Sequence, residues 1–249
     1  MKNEKSNAGY RYFYENASTI EGWFSPFDMD MMYLLNSFQH EHYISGDVCE
    51  LGVYKGKSLA LLALTSSKEE TIFGFDLFTG DLKTETQSTL KKFVDVDKAG
   101  KVELIKVDSS DLDNEDLKVH FNDPLRFLHI DAGHEYYEVL HSLFLFVPFL
   151  SNNGIIAMDD YHDRNFPGIE AAVEEFCKVS SPRRFVPFLS GANKMYLCEQ
   201  SKSAFYQSNI LNIEGLKETS AITKVRDYFV LIPNSSVPMP YEQIMKLLN

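Results

Sequence analysis

The chain has 249 residues, 44% of them hydrophobic, which suits one large domain with an extra element. Its net charge is −12 and its pI about 5.0, which argues against nonspecific binding to nucleic-acid phosphates. No apolar run reaches the ~18 residues of a membrane span, and the opening Met1-Lys-Asn-Glu-Lys-Ser6 lacks the apolar stretch of a signal peptide.

Residues 1–22 are polar with interleaved aromatics, Tyr10, Tyr12, Phe13 and Tyr14. Ser25 can cap a helix that has Pro26 at its first position. Phe27, Met31, Leu34, Leu35 and Phe38 then share one helical face. Two readings stay open for this aromatic segment: a helix packed on the sheet edge, or a roof over a site. The next stretch, Asp47-Val-Cys-Glu-Leu-Gly-Val-Tyr-Lys-Gly-Lys-Ser58, reads as strand, glycine turn and helix. Such a unit offers backbone N–H groups and a positive helix end to a ligand. Its spacing fits neither G-x-G-x-x-G nor the phosphate loop. What remains is E-x-G-x-x-x-G-x-S, and an acid at Glu50 suits a ligand bearing positive charge and hydroxyls.

Further strands are predicted at Thr71–Asp76, Val102–Val107, Leu125–Asp131, Ile155–Asp159, Arg184–Leu189 and Lys194–Cys198. The last two form a hairpin. Helices are expected around Ser88–Val94, over Glu135–Leu150, and over Pro167–Phe176, with Asn152-Asn153-Gly154 as a turn. The alternation predicts an α/β fold: a doubly wound, Rossmann-like, mostly parallel seven-stranded sheet with helices on both faces. We divide the chain into an N-terminal aromatic segment (1–44, a candidate lid), a main domain (45–200) and an appendage (201–249). The appendage holds the apolar run Tyr228–Ile232, a Pro-rich turn and a short helix from Tyr241. Cys49, Cys177 and Cys198 lie among apolar neighbours without zinc or disulfide spacing, as in a reducing cytoplasm.

Acids end several strands, where open α/β sheets bind ligands. Asp76 ends the second strand, a place that commonly accepts both ribose hydroxyls, and Leu77-Phe78 could pack on a base. Asp131, Glu135, Glu138, Asp159, Asp160 and Asp163 are interrupted by no Lys or Arg between Asp131 and Asp163. Convergent carboxylates repel one another unless protonated or bound to a cation. Oxygen-rich ligation suits Mg²⁺ or another hard divalent ion. The alternative is that Asp159 ends its strand and Asp160 faces water. His129 reads as core, and His162 as solvated.

E-L-G-V-Y-K-G-K-S resembles motif I of the class I S-adenosylmethionine-dependent methyltransferases. Asp76-Leu-Phe-Thr-Gly80, Asp131-Ala-Gly-His134, Asp159-Asp160-Tyr161 and Pro167-Gly168 resemble, in order, the macrocin- and mycinamicin-type sugar O-methyltransferases and, more distantly, catechol O-methyltransferase. The resemblance covers roughly residues 45–200. It implies S-adenosylmethionine held by Glu50, Gly52, Val53, Tyr54, Ser58, Asp76, Leu77, Phe78, Asp108, Ser109, Ser110 and Asp131. It implies a divalent ion on Asp131, Asp159 and Asp160, and His134 as general base. The expected reaction is methyl transfer to a hydroxyl of a sugar or polyhydroxylated metabolite in the cytoplasm. The expected partner is a small-molecule acceptor, with no nucleic acid and no membrane; homo-oligomerisation stays open. The alternatives are a catechol-like aromatic O-methyltransferase and a non-catalytic cofactor-binding protein.

Overall fold

Five strands are parallel: β1 (Asp47–Leu51), β2 (Ile72–Asp76), β3 (Val102–Lys106), β4 (Leu125–Ile130) and β5 (Leu150–Met158). Every residue of β1 and of β4 is buried, as strands covered on both faces must be. The structure, a computed structural model, describes residues 2–213 and 215–235. The helix expected from Tyr241 lies outside the described residues.

The parallel strands lie in the order β3-β2-β1-β4-β5, so the winding reverses between β1 and β4. A crevice opens at such a switch point, outside the carboxyl ends of the strands. The sheet continues through β7 (Met195–Glu199), antiparallel to β5, and then β6 (Phe185–Ser190). The expected sheet had seven strands; among the described residues it has nine. The appendage supplies β8 (Ala221–Val225) and β9 (Tyr228–Ile232), the latter the apolar run seen in the sequence. β9 joins β6 in parallel through Leu189 and Leu231.

Two other expectations need correction. Asn152-Asn153-Gly154 is no turn between helix and strand. β5 already begins at Leu150, and these residues form an irregularity in its pairing with β4, where Leu125 faces Leu150 and Phe127 faces Ile155. The carbonyl of Asn153 accepts from the Tyr206 hydroxyl at 2.5 Å, so the displaced backbone is satisfied. The N-terminal aromatics are also better ordered than their polar neighbours suggest. They lie on α1 (Lys2–Asn16), where Tyr10 and Phe13 share a face and are fully buried. Helix α2 (Pro26–Glu41) starts as the sequence predicts, with Ser25 Oγ accepting from Asp28 N at 3.0 Å. Both helices contribute to the core on one side of the sheet with α3 (Lys57–Thr65). No helix among the described residues is long and apolar enough to cross a membrane.

Two buried polar contacts fix α2. Arg126 of β4, without solvent exposure, bonds Glu70 at 2.7 and 3.0 Å, Asn36 at 2.6 Å and Gln39 at 2.9 Å. Nearer the N-terminus of α2, Tyr10 stacks on Tyr33 at 3.8 Å and donates its hydroxyl to Asp30 Oδ1 at 2.5 Å. Asp30 Oδ2 is buried without a partner. Burial therefore raises the Asp30 pKa to about 7, although the Tyr10 bond pulls the other way. The folded state favours protonated Asp30. Its stabilising effect is complete below the unfolded value of ~3.9 and is lost as pH rises through 7. Asp30→Asn should shrink the loss of stability between pH 5 and 8 by roughly 2–3 kcal/mol. Denaturant melts at the two pH values check this; an unchanged difference contradicts it.

Candidate functional site

The crevice at the switch point is lined by Gly52 after β1, Asp76 and Leu77 after β2, Ser109 after β3, and Asp131 and Gly133 after β4. Gly52 has φ +91°, and a Cβ there would lie 2.0 Å from the Asp131 carbonyl oxygen. Only glycine lets the two strand ends approach this closely. Three non-glycine residues near the strand ends also have positive φ: Tyr54, Phe78 and Asp160. Such backbone strain is held by its surroundings and concentrates where geometry serves a site.

Asp76 holds the rim together. Its Oδ2 accepts from the N–H groups of Val53 and Tyr54 at 2.8 and 2.9 Å, and Oδ1 from Phe78 N at 2.6 Å. The carboxylate thus ties the loop after β1 to the loop after β2 while facing the crevice. Leu77 and Ser109 line the opening as the sequence reading places them. Asp108 accepts from Ser110 N and Oγ at 3.0 and 2.7 Å and so shapes the turn that presents Ser109. Other expected contacts lie elsewhere. Phe78 is 2% exposed and packs in the core, because positive φ turns its ring away from the crevice. Ser58 is buried in the first turn of α3, and Val53 is buried beside it in the core.

Glu50 does not open onto the crevice; it is completely buried. Its Oε1 pairs with His129 Nδ1 at 2.6 Å, and Oε2 has no partner. His129 Nε2 in turn lies 3.0 Å from Nζ of Lys194, whose ammonium also bonds Asp159 Oδ2. Lys194 is 2% exposed and stands just before β7. Burial opposes its charge, but Asp159 and Asp131 hold its pKa above the ordinary value. Burial would raise Asp159, yet Lys194 and His129 keep it well below the usual carboxylate range. For His129, burial and the Lys194 charge oppose protonation, while Asp159 and Glu50 favour it. The contact with Lys194 decides between these. An ammonium has no lone pair, so Nε2 is the acceptor and His129 is neutral, donating Nδ1–H to Glu50.

The expected uncompensated acid cluster is therefore corrected: a lysine from beyond Asp163 supplies its cation. Asp159 Oδ1 accepts from Asp160 N at 2.9 Å. Asp160 Oδ1 accepts from Asn193 Nδ2 at 2.7 Å, and Oδ2 pairs with His134 Nε2 at 3.1 Å. All four oxygens of the Asp159-Asp160 pair thus have partners. Asp131 donates its N–H to Leu51 O at 2.7 Å, but its carboxylate, alone of the three, makes no direct hydrogen bond among the described residues, and burial, then Asp159, raises its pKa. Groups close enough to share an ion form two overlapping triads, His129–Asp131–Asp159 and Asp131–His134–Asp160, each within 4.8 Å. Lys194 bonds two members of the first, and two members of the second bond each other. As they stand, these residues do not fit a divalent ion.

His134 does not cap the following helix α7 (Tyr136–Phe146); Glu135 is the cap, its N–H bonded to Glu138 at 3.2 Å. Instead, the His134 ring stacks on Phe166 at 4.2 Å. The carboxylate partner places the proton on Nε2 and leaves the Nδ1 lone pair free. His162, read as solvated, is exposed, and its Nε2 bonds Ser190 Oγ at 2.9 Å. Above this region, residues 22–24 cross from the β1 loop to the β7 end. Lys57 Nζ donates to Gly22 O at 2.7 Å, the Trp23 ring lies 6.4 Å from Tyr54, and Phe24 lies 5.1 Å from Lys194 Nζ. Trp23 is 89% exposed. Residues 22–24 thus lie against the β1 loop and the start of β7, while α2 packs on the sheet. Sequence reasoning missed the roles of Lys194, Asn193 and Phe166; a lysine directly before the apolar run 195–198 was the signal for the first.

Residues 49–161 match a family described as a methyltransferase domain. No curated protein matches the chain. Several solved structures share the fold. CalS11, a TDP-rhamnose 3'-O-methyltransferase of calicheamicin biosynthesis, has a TM-score of 0.56 at 19% identity, over 70% of this chain and 77% of that one. The O-methyltransferase NovP gives 0.54 at 17%, over 69% and 78%. TomG from Streptomyces achromogenes, solved with S-adenosylmethionine, gives 0.55 at 14%, over 78% and 87%.

Asp76→Ala removes one carboxylate from three backbone donors. Losing hydrogen bonds to a charged group costs about 1.5–3 kcal/mol each, with partial compensation by water. The variant should bind S-adenosylmethionine about 10- to 100-fold more weakly and melt several degrees lower. Calorimetry and a thermal scan read both effects; loss of affinity without loss of stability would mean that Asp76 serves the ligand alone.

Proposed function

We propose that this chain is a class I S-adenosylmethionine-dependent methyltransferase and that it methylates a hydroxyl oxygen of a sugar or other polyhydroxylated metabolite. The observation that carries this reading is the His134–Asp160 pair beside Asp131, at the rim of the crevice. A hydroxyl is a poor nucleophile until a base takes its proton. A base oriented by a carboxylate, next to the place of a cofactor methyl group, has no use in a binding protein.

The step balances simply. The acceptor oxygen forms a bond to the methyl carbon as the carbon–sulfur bond breaks. The bonding pair stays on sulfur, which becomes a neutral thioether. The hydroxyl proton passes to His134 Nδ1, and Asp160, itself held by Asn193, stabilises the imidazolium. Asp131 faces the positive end of the cofactor, the crevice side of Asp76 takes the ribose hydroxyls, and Leu77 packs on the base. In-line alignment of oxygen, methyl and sulfur supplies much of the remaining rate. The expected divalent ion is given no step, because the partners of Asp159 and Asp160 are already in place.

His134→Ala should keep cofactor affinity and lose roughly 10²–10⁴ in kcat. Asp160→Asn should lose less, since the base remains but its orientation weakens. Single-turnover assays against glycosylated and catecholic acceptors test the assignment; normal turnover by His134→Ala ends it. Trp23 offers a flat, exposed face next to Tyr54 of the β1 loop, suited to the apolar face of a sugar ring. Trp23→Ala should raise the acceptor KM about 2- to 10-fold with kcat nearly unchanged. An unchanged KM would remove Trp23 from the acceptor site.

A further inference from the structure

Lys194 is buried in the acidic cluster, and the proposed transfer step leaves it without a role. We infer that Lys194 is the built-in counter-ion of the cluster at the ends of β4 and β5, and that the site takes up no divalent cation while this amine is present. Nζ bonds Asp159, lies 3.0 Å from His129 Nε2, and is covered by the Phe24 ring. The hairpin tip that carries it is pinned. Gly191 N donates to Lys194 O at 2.7 Å, and Asp28 accepts from Ala192 N and Asn193 N, each at 3.0 Å. A Cβ on Gly191 would meet Asp28 Oδ1 at 2.2 Å, so the tip fits only as it stands.

A divalent ion on the same carboxylates would sit beside a buried ammonium, where like charges repel most strongly. It would also have to break the hydrogen bonds of Asp159 and Asp160. Charge, and not the supply of ligands, therefore excludes the ion. Removing the amine leaves His129, Asp131 and Asp159 within 4.8 Å of one another with no cation among them. Two carboxylates and an imidazole suit Mn²⁺. Lys194 acts through Asp159 and His129 and is a positioning residue.

The test is Mn²⁺ titration of the full chain, followed by electron paramagnetic resonance, for wild type, Lys194→Arg and Lys194→Met. Wild type and Lys194→Arg should take up no Mn²⁺ at about 1 mM, the weak end of protein sites for hard ions. Lys194→Met should bind one Mn²⁺ at least about 100-fold more tightly than wild type. Uptake of one Mn²⁺ by the wild-type chain overturns the inference, and so does a folded Lys194→Met that binds none. If Lys194→Met does not fold, the wild-type arm decides alone. A second readout rests on the methyl-transfer reading: wild-type turnover should survive EDTA, and its loss overturns the inference. The Mn²⁺ arm needs no acceptor, so an error about the acceptor leaves it intact.

Discussion

A row of buried charged and polar side chains crosses the sheet beside the crevice, and the site is built on it. Glu50, His129, Lys194 and Asp159 come from β1, β4, the start of β7 and the end of β5, and each is bonded to the next. None of these groups could be buried alone at reasonable cost. Together they tie four strands at their ligand-facing ends. Removing one partner of such a row strands the opposite charge in a dry interior, which typically costs 3–5 kcal/mol. The row also sets the backbone of Asp159, whose Oδ1 receives the N–H of Asp160. Asp160 then sits at positive φ with its carboxylate turned toward His134. The orientation of the His134 ring thus depends, through two residues, on a network of buried side chains.

The rim follows the same logic with neutral donors. Asp76 gathers three N–H groups from two loops, and Gly52 lets the β1 and β4 ends meet without a side chain between them. A crevice held by backbone hydrogen bonds is preorganised before any ligand arrives, and binding need not order it. The N-terminal segment adds the upper wall. It is anchored by α1 and α2 in the core and touches the rim through residues 21–24, Glu21 accepting from Tyr54 and Lys55 of the β1 loop.

Much of this arrangement was legible in the sequence. The β-rich apolar runs, the glycine turn and the helix start at Ser25-Pro26 are local signals, and all lie where they were expected. So did the acids that end β2, β4 and β5, since strand ends follow from the runs themselves. What escaped was set by pairing across the sheet. Glu50 looks from sequence like a ligand-facing acid, yet its direction is fixed by His129 on the neighbouring strand. Phe78 turns inward because of one backbone angle. Lys194 is far from the acid cluster in sequence and enters it only because β7 pairs with β5. α1 was hidden by its polar composition, although Tyr10 and Phe13 already had helical spacing. The appendage's β9 was visible as an apolar run, but not its partner β6.

The pinned hairpin tip has a bearing on any attempt to recombine such enzymes. Residues 191–194 share their hydrogen bonds with Asp28 at the start of α2. Exchanging this hairpin for one of another length would displace Asn193 from Asp160 and the amine from Asp159 in one stroke. The N-terminal helix and the hairpin therefore form a single transferable cassette, and a chimera that cuts between them would inherit the scaffold of one parent and the electrostatics of neither.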